Sequence, residues 1–305
     1  MHNTLQYEEV RERARGAFLG LAIGDALGAP AEFMTAGEIK TKYGLLKEIV
    51  GGGWLRLKPG QVTDDTEMAL CIARAVASRR QWELLPIAEN FSRWLRSKPI
   101  DVGDTCRRGI RDFMLTGRLD ALPNAWDAGN GAVMRVLPVA LFTLGDDPFM
   151  ADCAVAQAHL THNHPLSDSA CVWLCRLVQR ALLGSSKYAL RREVDTLLAE
   201  QPKFKFDPYP GLATGYVVDT MQTVFHHFFR TRDFESCLVG TVNQGGDADT
   251  TGAIVGALAG AYYGEEGIPR RWLKKMDRHL MNEISRLAEE LLAPSPQGRR
   301  MRGDG

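Results

Sequence analysis

The chain has 305 residues, and its 37 lysines and arginines are balanced by 37 aspartates and glutamates, so the formal net charge is zero. That balance gives no electrostatic case for a nucleic-acid or membrane-surface protein, and no apolar run reaches the roughly 18 residues of a membrane span. Met1-His2-Asn3-Thr4-Leu5 lacks a basic stretch leading into an apolar one, and the cysteines show neither a CxxC pair nor a disulfide-rich spacing, so the expected setting is a reducing cytoplasm.

Apolar residues recur at helical spacing almost throughout and alternating runs are scarce, which predicts an all-α chain with one compact multi-helix domain over 1–293. A first helix is expected over 8–28, and the loop after it holds Glu32. Lys58-Pro59-Gly60 breaks the chain before Thr63-Asp64-Asp65-Thr66-Glu67, where Asp64 and Glu67 have capping-box spacing ahead of a helix over 66–80. Helices follow over 86–97, 103–117, 131–144, 149–160, 167–183 and 187–200, with Pro86 and Pro165 near helix starts. Gly129-Asn130-Gly131 is read as opening the 131–144 helix, where free N–H groups and the dipole suit an anion, although a plain turn is the commoner use of such a sequence. Past Asp207-Pro208-Tyr209-Pro210-Gly211, helices are expected over 214–230, 233–242, 250–263 and 270–293, the last introduced by Pro269. Residues 294–305 are expected to form a disordered tail.

Two rows of glycines stand out. Gly16, Gly20, Gly24 and Gly28 fall four apart, as do Gly252, Gly256, Gly260 and Gly264. A glycine inside a helix costs about 1 kcal/mol relative to alanine, so each row requires a structural return. A row at i, i+4 lies along one helix ridge and admits a close neighbour. Either each row receives a bulky partner, or the two helices pack on each other; we take the second reading, with an antiparallel pair. That orientation would bring Glu32 beside Asp247.

The chemistry is concentrated in two acidic stretches, Thr63-Asp64-Asp65 and Asp247-Ala248-Asp249-Thr250, each at a helix start. Oxygen-only donors of this kind suit hard divalent cations rather than zinc. Each stretch alone also suits an ordinary N-cap. Adjacent aspartates exceed what one cap needs, and two such motifs in one chain favour metal. Cys171 and Cys175 lie one helical turn apart among apolar residues and read as core.

At these residues the sequence resembles the ADP-ribosylglycohydrolases. The resemblance rests on Gly16-Ala-Phe-Leu-Gly-Leu-Ala-Ile-Gly-Asp-Ala-Leu-Gly28, Thr63-Asp-Asp-Thr-Glu67, Gly129-Asn-Gly-Ala-Val-Met-Arg135 and Gly245-Gly-Asp-Ala-Asp-Thr-Thr-Gly252, and it covers nearly the whole chain. It implies an all-α fold with two Mn²⁺ or Mg²⁺ ions, held by Glu32, Thr63, Asp64, Asp65, Asp247, Asp249 and Thr250. It further implies hydrolysis of the N-glycosidic bond between ribose C1 and an arginine guanidinium. Asp101 is implied to be an acid that either accepts the proton or supports the metal ligands from behind, with Glu32 as the competing base, and His162 is an implied contact to ADP-ribose; a hydrogen-bonded loop histidine is its plain alternative. The implied role of the ions is to hold the ribose hydroxyls and acidify the attacking water.

Gly51-Gly-Gly-Trp-Leu-Arg-Leu-Lys-Pro-Gly60, Asp101-Val-Gly103, Thr161-His-Asn-His-Pro165 and Val242-Asn-Gln-Gly-Gly246 resemble the branch of the family that acts on the nitrogenase iron protein. For that branch the resemblance implies control by a nitrogen-regulatory signalling protein and reversible membrane association through it. Asp104 departs from the branch, which carries an amide there, and would add charge near the metals. Competing readings are a hydrolase of serine-linked or O-acetyl-ADP-ribose, a non-catalytic ADP-ribose-binding relative, and a metal-stabilised helical domain without activity.

Overall fold

The computed structural model describes residues 2–293, and the expected tail over 294–305 lies outside them. Among the described residues there are fourteen α-helices, three short 3-10 turns and only isolated β-bridges. The centre is an antiparallel pair, α1 (His2–Gly28) and α12 (Ala248–Tyr263), both buried on every side over much of their length.

The two glycine rows make that pair possible. A Cβ on Gly20 would lie 2.2 Å from the Gly256 carbonyl oxygen, one on Gly24 1.9 Å from that of Gly252, and one on Gly260 2.0 Å from that of Gly16. Backbone therefore meets backbone along the seam, at distances where no side chain fits. Gly28 meets Ala248 in the same register, and the Gly264 backbone abuts Gly16 at the far end, although Gly264 has positive φ and a Cβ on it would meet Glu12.

The remaining helices clothe this pair. On the α12 side pack α8 (Pro165–Leu182), α10 (Val217–Arg230) and α11 (Phe234–Val242). On the α1 side pack α3 (Asp64–Arg79) and α14 (Arg278–Leu292), and α3 carries α4 (Leu84–Arg96), which in turn carries α5 (Asp104–Thr116). Two further helices, α7 (Asp147–His159) and α9 (Lys187–Glu200), flank α8. The six cysteines are free and buried, Cys171 and Cys175 within α8.

The structure differs from the sequence reading in three elements. It adds α2 (Ala36–Tyr43), whose Thr35 and Glu38 form a complete capping box; eight residues are too few for apolar periodicity to show. It shortens the expected 131–144 helix to α6 (Leu137–Phe142), leaving 131–135 as turns. It splits the expected 270–293 helix into α13 (Arg270–Leu273) and α14, because Asp277 caps a new start through Leu280 N–H.

Candidate active site

The seam positions the acidic groups. Past Gly28 the chain makes a 3-10 turn over Ala29–Ala31 and presents Glu32, while Asp247 stands at the N-terminal boundary of α12. Phe33 N–H donates to Gly246 O at 2.7 Å and Gly246 N–H donates to Met34 O at 2.8 Å, which ties the two loops together. One oxygen each of Glu32, Asp247 and Asp249 then lies within 4.8 Å of the others.

The second stretch arrives through a residue that the sequence reading missed. Asp25 of α1 is fully buried and accepts from Thr63 N–H (3.0 Å), Thr66 N–H (3.2 Å) and the hydroxyls of Thr63 (3.0 Å) and Thr66 (2.5 Å). It thus caps α3 from a neighbouring helix. The expected Asp64–Glu67 capping box does not form: Asp64 accepts from Gly103 N–H, and Glu67 accepts from the Trp94 indole. Thr63 and Asp247 make no side-chain capping bond to their own helices. The threonine and aspartates are thereby left to face one another, with Asp65 Oδ2 3.1 Å from Thr63 Oγ1 and accepting from the Thr250 hydroxyl at 3.3 Å. The interior position of Asp25, between the glycines of the first row, was the signal: a carboxylate on an otherwise apolar buried face needs donors.

Among the described residues no lysine or arginine pairs with Glu32, Asp64, Asp65, Asp247 or Asp249. Burial is the main cause of raised carboxyl pKa values, carrying Glu32 to about 7, Asp64 to about 8, and Asp65 and Asp249 well above the usual range; repulsion from neighbouring carboxylates adds to it. The N-termini of α3 and α12 offset part of this charge. Asp65 Oδ1 is buried without any hydrogen-bond partner. A hard cation meets each of these conditions: oxygen donors, uncompensated negative charge and an orphaned carboxylate oxygen.

Glu32, Asp64, Asp247, Asp249 and Thr250 line a cavity of about 670 Å³, within the roughly 300–1,000 Å³ of small-ligand sites, whereas Thr63 and Asp65 are not among its lining residues. Asp101 lines it, half-buried, with Oδ1 accepting from Val102 N–H at 2.7 Å, and burial raises its pKa. Asp104 sits at the mouth, its side chain 93% exposed and paired with Arg107 at 2.9 Å, so its charge is compensated at the rim rather than added to the cluster. Trp54 is half-exposed; its indole N–H donates to Glu32 Oε2 at 2.6 Å and its ring rests on Phe33.

Gly129, Asn130, Gly131 and His162 also line the cavity. No helix opens at Gly131, so the expected helix dipole is absent. Asn130 N–H donates to Gly215 O, and its side-chain amide donates to Asp247 Oδ2 at 2.7 Å and to Thr220. The two glycines answer a different demand: a Cβ on either would meet the His162 ring at about 3 Å or less. His162 is almost wholly buried, and burial lowers its pKa well below the usual value.

The family model described as ADP-ribosylglycohydrolase matches residues 6–300. The chain is 54% identical over 284 residues to the ADP-ribosyl-[dinitrogen reductase] glycohydrolase of Rhodospirillum rubrum, covering 93% of this chain and 97% of that one. It is 31% identical to the ADP-ribosylarginine hydrolase Tri1 of Serratia proteamaculans, over 95% of this chain and 81% of that one. A solved structure titled ADP-ribosylglycohydrolase-related protein complex superposes with a TM-score of 0.83 at 35% identity, covering 93% of this chain and 98% of that one. The chain belongs to the ADP-ribosylglycohydrolase family.

Proposed function

We propose that this chain is a metal-dependent hydrolase that releases ADP-ribose from a protein arginine and reactivates ADP-ribosylated dinitrogenase reductase. The observation that carries the reading is the convergence of two acidic helix starts, joined through Thr250 and Asp65 and with no protein cation among them, beside a ligand-sized cavity. The similarity to the Rhodospirillum rubrum enzyme supports the substrate, and metal dependence is typical of the family. We treat 1–293 as the catalytic domain.

Glu32, Thr63, Asp64, Asp65, Asp247, Asp249 and Thr250 would hold two Mn²⁺ or Mg²⁺ ions, a donor set of oxygens only. Bound cations supply charge neutralisation, grip on the ribose hydroxyls and acidification of water. The chain's own groups do the rest. Asp101 accepts a proton as water adds to ribose C1, the bond from C1 to the guanidine nitrogen breaks, and that proton passes to the departing guanidine. Carboxylates around the ribose stabilise the oxocarbenium-like charge of the transition state. Glu32 is the second candidate base, but the Trp54 N–H bond holds its carboxylate in place, which favours Asp101. Gly129, Asn130, Gly131 and His162 form the wall for ADP-ribose.

The resemblance also supports a nitrogen-regulatory signalling partner and membrane association through it; among the described residues no helix is long and apolar enough to cross a membrane. The test is release of free ADP-ribose from arginine-modified dinitrogenase reductase by the Mn²⁺-loaded protein. Absence of release under those conditions overturns the proposal.

A further inference from the structure

We propose that Arg135 and Thr161 are positioning residues that hold His162 as a neutral imidazole with its Nε2–H turned toward the substrate cavity. Arg135 is fully buried, yet among the described residues no carboxylate pairs with it. Its donors go to neutral groups: Nε to Gln157 Oε1 and Nη2 to Gln157 O, both at 2.9 Å, and Nη2 to Thr161 Oγ1 at 2.8 Å. The ring of Phe91 lies 4.7 Å from the guanidinium carbon. A buried cation with this environment acts through its neighbours.

The neighbour it reaches is the threonine hydroxyl. Guanidinium can only donate, so Thr161 Oγ1 accepts from it. The same oxygen lies 2.7 Å from His162 Nδ1. The hydroxyl oxygen can accept from Arg135 and from a second donor, but if Nδ1 carried the hydrogen, the hydroxyl hydrogen would be left to the weakly accepting Cys106 sulfur. With Thr161 donating to Nδ1, that hydrogen reaches a nitrogen acceptor, which is the stronger bond. Burial and the charges of Arg135 and Arg108 oppose the imidazolium, so the neutral ring carries its hydrogen on Nε2.

That nitrogen faces a usable space. Among the described residues nothing accepts a hydrogen bond from Nε2, and His162 lines the cavity. A Cβ on Gly129 or Gly131 would stand 3.0 or 3.1 Å from Nε2, so the glycines keep it clear. Nε2–H is therefore a fixed donor for an acceptor oxygen, a phosphate or ribose hydroxyl if the cavity binds ADP-ribose as proposed above. It is unsuited to proton transfer, because Nδ1 is committed and the charged form is disfavoured.

The test is a long-range ¹H–¹⁵N correlation of the histidine rings in the full-length, Mg²⁺-loaded protein, with His162→Gln assigning the resonances. We expect the neutral Nε2–H pattern across about pH 6 to 8. Thr161→Val should lose that bias while keeping its helical circular dichroism. It should raise KM about tenfold with kcat within about twofold, the size of one lost hydrogen bond to the ligand, and Thr161→Ser should restore both. An Nδ1–H pattern or an imidazolium in the unmodified protein overturns the proposal, as does an unchanged pattern in Thr161→Val. The tautomer is read without substrate, so failure of the hydrolase reading leaves it standing. If free ADP-ribose does not move the His162 resonances, the donor role falls together with the ADP-ribose wall.

Discussion

Replacing Gly20 by alanine should weaken the fold although alanine is the better helix former. A Cβ there would lie 2.2 Å from Gly256 O and 3.0 Å from the Gly256 carbonyl carbon, with Phe234 Cε2 at 3.1 Å. Cβ contacts shorter than 3.0 Å are essentially never seen, so α1 and α12 must part by about 0.8 Å at this level, loosening Gly16–Gly260 and Gly24–Gly252 as well. Overpacking of this kind costs about 1–3 kcal/mol, against roughly 1 kcal/mol gained from helix propensity. Rigid backbone on both sides places the cost at the upper end or beyond, so the net effect is a destabilisation of about 2 kcal/mol or more. The control is Gly37→Ala in exposed α2, where the nearest atom to the new methyl is Thr35 Oγ1 at 3.9 Å; it should stabilise by about 0.5 kcal/mol. Urea unfolding should show the midpoints moving in opposite directions with unchanged m-values. If Gly20→Ala proves as stable as the unmodified protein, the close-packed seam is wrong.

Asp249→Ala should abolish hydrolysis by orders of magnitude while keeping helical circular dichroism, and Mn²⁺ titration should show weakened binding; retained turnover excludes Asp249 from the site. In the metal-free protein the folded-state pKa values of Glu32, about 7, and Asp64, about 8, exceed their ordinary 4.5 and 3.8. Their contribution to stability is thus present at low pH and lost as pH rises through that window, so Tm of the chelated protein should fall from about pH 5 to 8. Saturating Mg²⁺ should flatten the slope, and a rising Tm in the chelated protein contradicts it. Trp54→Phe removes the donor to Glu32 but keeps a ring on Phe33, and should weaken Mn²⁺ binding about tenfold; unchanged affinity removes Trp54 from any role in holding Glu32.

The sequence made the helices and their central pairing legible because glycine at every fourth position has few other physical uses in buried helices. It also marked the two acidic stretches, since oxygen donors at helix starts are a short list of residue types. It did not show how those stretches escape capping duty. Asp25 answers that from another helix, a contact across about forty positions that spacing cannot reveal. The Gly129–Gly131 loop was misread for a related reason: its glycines serve the approach of His162 from a distant turn, not the start of a helix. Asp104, expected from the resemblance to add charge near the metals, is instead paired with Arg107 at the surface from the first turn of α5.

The most direct test of the account is a time course of ADP-ribose release by chelated protein from matched arginine- and serine-modified proteins, before and after Mn²⁺ is added. The account predicts no release before addition, and afterwards release from the arginine-linked substrate with little from the serine-linked one. Turnover without metal would contradict the mechanism, and preference for serine would contradict the assigned substrate.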